Sequence, residues 1–131
     1  MIGLDTNVLI RYLVQDEPHQ SAKATGLMHS LTAEKPGYIT QIALAETVWV
    51  LTRSYHADRR QIARIIDTLL QTREVLVENA NIVRQALHIF RSSKAAFADC
   101  LIERACHDAH CDDTATFDVA AAKTAGMRLI S

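Results

Sequence analysis

Apolar residues fall along the chain in two patterns, short uninterrupted runs and longer stretches with a helical period. The short runs predict strands, and the periodic stretches predict helices, as in "QIARIIDTLLQ", whose isoleucines and leucines form one stripe. Turn signals precede two of the runs, at Pro36-Gly37 and at Gly126. The predicted strands are residues 1–5, 37–40, 74–77 and 127–130, with a weaker one at 113–117. The predicted helices lie near 7–15, 18–34, 41–56, 58–72, 79–92, 95–110 and 119–125.

The alternation of short apolar strands with helices predicts an α/β fold. It is typical of a parallel sheet covered by helices on both faces. The chain of 131 residues contains neither a linker nor a low-complexity segment. We therefore expect one domain over residues 1–131, a three-layer α/β/α domain with a four- or five-stranded parallel sheet flanked by helices.

Composition narrows the class of protein. With 49% hydrophobic and 22% charged residues the chain is globular rather than disordered. Its net charge of -1 means that any nucleic-acid contact depends on a local basic patch. No signal peptide and no apolar stretch long enough to span a membrane is visible. Three cysteines cannot all pair, which favours a reducing cytoplasm.

Two carboxylates stand at the predicted junctions between a strand and the following helix. Asp5 follows the first run, and Asp118 follows the weak strand. In an open parallel sheet, ligands bind outside the carboxyl ends of the strands. The alternative is that each Asp caps a helix. At Asp5 such a cap is partly redundant, because Thr6 or Asn7 is also suited to it.

Two further acids lie in predominantly apolar helical segments. Glu46 has Ile42 and Trp49 on its own helical face, so we expect it to be at least partly buried. Asp99 lies among alanines in "KAAFADCLIERA". The alternative for both is an acid near a helix start, which the helix dipole favours.

The four acids are predicted at one edge of the sheet, and this suggests a cation site. Converging carboxylates repel each other and persist only with a cation or with raised pKa values. Oxygen ligands select Mg2+ or Mn2+. The chemistry suited to such a site is phosphodiester hydrolysis, in which metal activates water and neutralises charge on the phosphate.

The motifs "LDTNVLI", "ALAETVWVL", "FADCLI" and "TFDVAAAK" together resemble PIN-domain ribonucleases, especially the VapC-type toxins of bacterial toxin-antitoxin pairs. The resemblance implies that Asp5, Glu46, Asp99 and Asp118 bind one or two Mg2+ or Mn2+ ions and activate water. It makes Thr116 and Asn7 outer members of the site, with the Thr116 hydroxyl orienting an acidic ligand or water.

The resemblance also implies an activity and partners. The expected activity is endonucleolytic RNA cleavage that leaves 5'-phosphate and 3'-hydroxyl ends, without an organic cofactor. The expected partners are a cognate antitoxin, whose C-terminal tail lies in the toxin's groove, and a second copy of the chain in a homodimer.

Several polar residues allow two interpretations. Glu103 lies one helical turn after Asp99. It is either a ligand of a second metal ion or, as we favour, the partner of a Lys or Arg in solvent. "CHDAHC" at 106–111 lacks the second ligand segment of a zinc site, so we interpret it as a helix end with Cys106 in the core. Asp112 and Asp113 are interpreted as a turn.

Basic residues offer an RNA-binding rim. Arg60 and Arg64 share a helical face and, with Arg11, Arg53 and Lys94, would supply phosphate contacts; the alternative is an ordinary solvated surface. We expect Trp49 and the apolar helices after it in the core; the alternative is that part of this surface is a dimer or antitoxin face. Aromatic residues make up only 5% of the chain, which argues against base stacking.

Two other functions compete with the nuclease. A PIN-like module that binds RNA or protein without cutting should have lost one of the four acids, and the set is complete here. A haloacid-dehalogenase-type phosphatase needs an acid at the position of Asn7.

Overall fold

The computed structural model describes residues 1–130, which fall into two compact units, Met1–Glu78 and a second that begins at Asn79. The elements of the first unit are β1 (Ile2–Gly3), α1 (Thr6–Val14), α2 (Pro18–Ser30), β2 (Gly37–Ile39), α3 (Gln41–Ser54), α4 (Arg59–Gln71) and β3 (Val75–Val77). Those of the second are α5 (Ala80–Ser92), α6 (Phe97–Asp108), β4 (Ala115–Thr116), α7 (Val119–Ala125) and β5 (Arg128–Leu129).

All strand pairs among the described residues are parallel. In the first unit β2 lies between β1 and β3, with Gly37 opposite both Ile2 and Val75. In the second unit β4 pairs with β5, with Ala115 opposite Arg128. The predicted strands and helices are therefore present, and the α/β class with parallel strands and flanking helices is confirmed.

Side-chain caps fix where several helices begin. Asp58 and Gln61 form a reciprocal capping box at the start of α4. The carboxylate of Glu17 accepts backbone N–H groups of the first turn of α2, whose first residue is Pro18. At its other end α2 stops at Ser30, earlier than predicted, because Leu31 turns to an extended conformation and is buried.

Each unit buries its own apolar residues. In the first unit, β2, α1, α3 and α4 contribute fully buried side chains, namely Ile39, Leu9, Leu44, Ile62 and Ile66. In the second unit α5 packs on α6, and the rings of Phe90 and Phe97 meet edge to face at 5.8 Å. Burial of these apolar stripes is the main favourable contribution to folding.

Burial in β1 and at Trp49 differs from what the sequence predicts. Ile2 and Gly3 in β1 are exposed, and in this segment Leu4 is the buried residue. Trp49 is 61% exposed rather than in the core. The reason is that α3 buries the stripe containing Leu44, Val48 and Leu51, which leaves Trp49 on the opposite side of the helix.

The described residues also bear on the expectations about membrane spans and cysteines. No helix within residues 1–130 has the length and apolar character needed to cross a bilayer. No disulfide joins the three cysteines. Cys106 is half-buried rather than in the core, whereas Cys100 is fully buried.

Two glycines are expected to respond oppositely to alanine. A Cβ at Gly37 would lie 2.7 Å from Leu4 Cδ1 and 2.9 Å from Leu31 Cδ1, and both leucines are buried. Overpacking costs about 1–3 kcal/mol, whereas Ala restricts the unfolded chain by about 0.4–1 kcal/mol. Gly37→Ala should therefore lower the free energy of unfolding by about 1 kcal/mol.

Gly26→Ala is the matched control, since Gly26 is exposed within α2 and its Cβ would meet nothing within 4 Å. It should raise the free energy of unfolding by about 0.5–1 kcal/mol. Urea denaturation measures both variants. Equal shifts would contradict the close packing of Gly37.

Candidate functional site

The carboxyl ends of β1, β2 and β3 lie at one edge of the first unit's sheet, because the strands are parallel. Asp5, Thr40 and Glu78 follow these strands. The Thr40 hydroxyl accepts the Ala43 N–H at 3.0 Å, and Glu78 Oε1 accepts the Gln41 N–H at 2.8 Å. These two bonds hold the N-terminus of α3 at the sheet edge.

Asp5 occupies the N-cap position of α1 in an extended conformation, with φ -74° and ψ 157°. Its side chain nevertheless accepts no capping hydrogen bond, and it is exposed. The capping alternative is therefore not realised by this carboxylate. Asn7 is exposed in the first turn of α1, where it borders a surface groove that Arg11 also lines.

Thr6 does not cap α1 but contacts a second acid. Its hydroxyl donates to Glu46 Oε1 at 3.0 Å and so joins the first residue of α1 to the second turn of α3. From the sequence, Thr6 is expected only as a helix cap. The sequence shows a hydroxyl residue directly after Asp5, but it does not show that this hydroxyl contacts Glu46, which lies forty residues further along the chain.

Glu46 is exposed, so the expectation of partial burial is wrong. It lies on the same side of α3 as Ile42 and Trp49, which are also exposed. An apolar helical face does not have to be the buried face. The outward position leaves the Glu46 carboxylate accessible, with one oxygen engaged by Thr6.

In the second unit Asp118 caps a helix, as its alternative interpretation predicts. Its Oδ1 accepts the N–H groups of Ala120 and Ala121, at 2.8 and 3.3 Å. The Thr116 hydroxyl accepts the Asp118 backbone N–H at 3.0 Å. Thr116 therefore holds the backbone of Asp118 rather than its carboxylate. The cap uses Oδ1 and leaves Oδ2 for another ligand.

Asp99 is a half-buried acid in the first turn of α6. Burial raises the pKa of its carboxyl group, and the negative charge of Asp118 raises it further. The structure thus brings these two predicted acids into electrostatic contact. Paired carboxylate oxygens with one in a partly desolvated position fit a hard divalent cation, which is commonly held by one or two carboxylates and water.

Glu103 is engaged by a neighbour on α6. Both its carboxylate oxygens accept hydrogen bonds from Arg104, at 2.7 and 2.9 Å. The expected pairing with a basic residue is present, although both side chains are partly buried rather than in open solvent.

No three His, Cys, Asp or Glu side chains within residues 1–130 form a group that could hold a metal ion. Asp5 and Glu46 belong to the first unit, and Asp99 and Asp118 to the second. Convergence of all four acids stays a prediction. The "CHDAHC" segment forms no metal group in this part of the chain either, and its histidines are exposed at the end of α6.

The five basic residues proposed to rim an RNA groove differ in their partners and exposure. Arg11 is bound by Asp16, at 3.1 Å, and by Gln20, at 2.8 Å, so its charge is partly neutralised. The guanidinium of Arg53 lies over the Trp49 ring. The remaining members, Arg60, Arg64 and Lys94, have exposed side chains.

Parallel strands that end beside helix starts define an α/β protein of the kind that binds ligands at the carboxyl edge of its sheet. The PIN domain family model matches residues 2–127, and the chain belongs to this family. PIN domains are typically metal-dependent nucleases. No curated protein matches the chain.

The coupling of Asp99 to Asp118 is directly testable. Asp118→Asn removes one of the two causes of the raised pKa, so the pKa of Asp99 should fall toward its ordinary value while burial keeps it above that value. Carbon-13 NMR titration of the side-chain carboxyl groups in metal-free protein measures the change.

The matched control is Glu103→Gln, which removes a charge one helical turn from Asp99. Glu103 is not among the causes of the Asp99 shift, so the pKa of Asp99 should stay in place. Equal shifts in the two variants would show that general negative charge, rather than Asp118, acts on Asp99.

Proposed function

We propose that this protein is a metal-dependent endoribonuclease in which Asp5, Glu46, Asp99 and Asp118 hold one or two Mg2+ or Mn2+ ions. The observation that carries the proposal is the environment of the half-buried Asp99, where burial and then the negative charge of Asp118 raise the pKa of the carboxyl group. A fold that keeps two such carboxylates together gains from a cation that neutralises them. Membership of the PIN family supports the same activity.

Each acid has a distinct local support in this proposal. Asp118 is held by its cap on α7 and by Thr116, so its Oδ2 has a defined position. Glu46 is held through Oε1 by Thr6, so its second oxygen is the one available to a cation. Asp5 is a ligand without a capping partner, and Asn7 is an outer residue. Glu103 is bound by Arg104 and takes no part in the site.

The proposed reaction is hydrolysis of a phosphodiester bond by water. A bound Mg2+ or Mn2+ lowers the pKa of water and neutralises charge on the scissile phosphate. The residues of the chain fix the carboxylates, and the exposed Arg60, Arg64 and Lys94 contribute attraction for the RNA backbone. Arg11 contributes less, because Asp16 already neutralises it.

A finer proposal is that the protein is a VapC-type toxin, acting in the cytoplasm as a homodimer under the control of a cognate antitoxin. Its support is the resemblance of the N-terminal "LDTN" and the ordered "AET", "ADC" and "TFD" motifs to such toxins. A small upstream gene that encodes a protein with a DNA-binding N-terminus would support it. A nuclease whose expression leaves growth unaffected would contradict the toxin role while leaving the cleavage activity intact.

Cleavage of RNA by the purified protein, freed of any bound antitoxin, tests the activity. It should cut single-stranded RNA with Mg2+ or Mn2+ and stop in EDTA. Asp5→Asn, which removes a charge at nearly constant size, should lower the rate by more than about a hundredfold, since even partners of metal ligands cost 10–100-fold.

Glu103→Gln is the control for Asp5→Asn, because it removes a carboxylate that is already paired with Arg104. It should retain most activity, and circular dichroism should show that both variants are folded. Undiminished cleavage by Asp5→Asn would refute the assignment of the metal ligands. Full cleavage in EDTA would refute metal dependence altogether.

A further inference from the structure

The outer face of α3 carries an exposed stripe with an unusual composition. Ile42, Glu46, Trp49 and Arg53 recur at helical spacing and are all exposed, whereas the opposite face is buried. Trp49 keeps 61% of its surface accessible. Single exposed apolar residues are normal. A large exposed aromatic ring that lies between an acidic and a basic residue on one helical face is less common and suggests a binding surface.

Arg53 adds a positive charge to the surface around the Trp49 ring. The guanidinium carbon lies 5.4 Å from the centroid of the Trp49 ring, within the range of a cation–π contact. No carboxylate in the described part of the chain pairs with Arg53. Its positive charge is therefore available to an anion, while the ring orders its side chain.

An exposed aromatic ring with an unpaired guanidinium over it is suited to single-stranded nucleic acid. Bases stack on aromatic rings without regard to sequence, and Arg contributes both phosphate contacts and stacking. The stripe therefore favours an unpaired nucleotide.

The position of the pair relates it to the proposed cleavage site. Trp49 is three residues after Glu46 on one side of α3, which is roughly 4.5 Å along the helix axis. Arg53 follows Trp49 after about one more turn. A nucleotide can therefore lie along α3 with its base on the Trp49–Arg53 pair and one flanking phosphate toward Arg53. The other flanking phosphate would lie toward a cation that Glu46 would hold in the proposed function.

We propose that Trp49 and Arg53 form a base-stacking subsite that holds one unpaired RNA nucleotide beside Glu46. The inference rests on the proposed function and adds a substrate-positioning site to it. It also reverses the expectation that base stacking plays no part, which followed from the low aromatic content of the chain. One exposed aromatic ring in the right place is sufficient for one subsite.

Trp49 is the only tryptophan in the chain, so its fluorescence reports on this site alone. Short single-stranded RNA added to wild-type protein in EDTA, where cleavage is prevented, should quench that fluorescence saturably. An abasic ribose-phosphate oligomer of the same length should quench much less. Equal quenching by both oligomers, or none by RNA, would overturn the subsite.

Variants measure the size of the effect through the anisotropy of labelled RNA. Trp49→Leu should weaken RNA binding roughly tenfold or more, as expected for loss of one stacked base. Trp49→Phe, which keeps an aromatic face, should recover part of the loss. In cleavage assays Trp49→Leu should raise KM more than it lowers kcat.

The matched control is Ile42→Ala, because Ile42 is 74% exposed on the same stripe but has no aromatic ring. It should leave RNA affinity unchanged. If Trp49→Leu instead converts a dimer to a monomer in sedimentation with unchanged RNA affinity, the face binds a second copy and the subsite is wrong. Cleavage by wild-type protein without quenching would refute the subsite alone, because binding in EDTA does not depend on catalysis.

Discussion

The start of α3 is the constraint on which the first unit's functional residues depend. The Thr40 hydroxyl and the Glu78 carboxylate, each following a strand, accept the first backbone N–H groups of α3. These N–H groups have no partner within the helix, so side chains that accept them set both the starting residue and its place. The rotation of α3 then decides which residues face outward. Glu46 consequently reaches Thr6 at the start of α1, and the sheet edge, two helices and one carboxylate are joined through hydrogen bonds.

The second unit shows the electrostatic cost of its two acids. Asp118 recovers part of that cost through its cap on α7, where two backbone N–H groups bond to one oxygen. Asp99 has no such compensation, and burial together with the charge of Asp118 penalises its ionised form. Without a cation, this penalty lowers stability progressively as pH rises from the ordinary pKa of Asp99 and is complete above the raised pKa, because the unfolded chain ionises Asp99 at the lower pH. A cation bound beside Asp99 and Asp118 would remove this penalty by neutralising the two charges.

Hydrophobic periodicity was sufficient to predict the elements but not their orientation. Every strand and helix contains a run or stripe that the pattern identifies, and the caps at Thr40 and Asp118 agree with local chemistry. The errors lie in α3, where apolar residues surround the helix. Periodicity cannot then identify the buried face, and for this reason it places Glu46 and Trp49 in the wrong environment. The Thr6–Glu46 bond joins residues forty positions apart and depends on tertiary packing, which no local pattern encodes.

The apolar character of α3 on both faces has a physical explanation once the two faces are separated. The inner face, with Leu44, Val48 and Leu51, is required by the core. The outer face is not required by folding, because Ile42 and Trp49 remain largely exposed and gain little hydrophobic stabilisation. An aromatic ring that does not stabilise the fold, held under a guanidinium one turn beyond an accessible carboxylate, is better explained by what the surface binds than by how the chain folds. Folding therefore determines the residues on the inner face of α3, and ligand binding accounts for those on its outer face, so the helix is apolar on both faces.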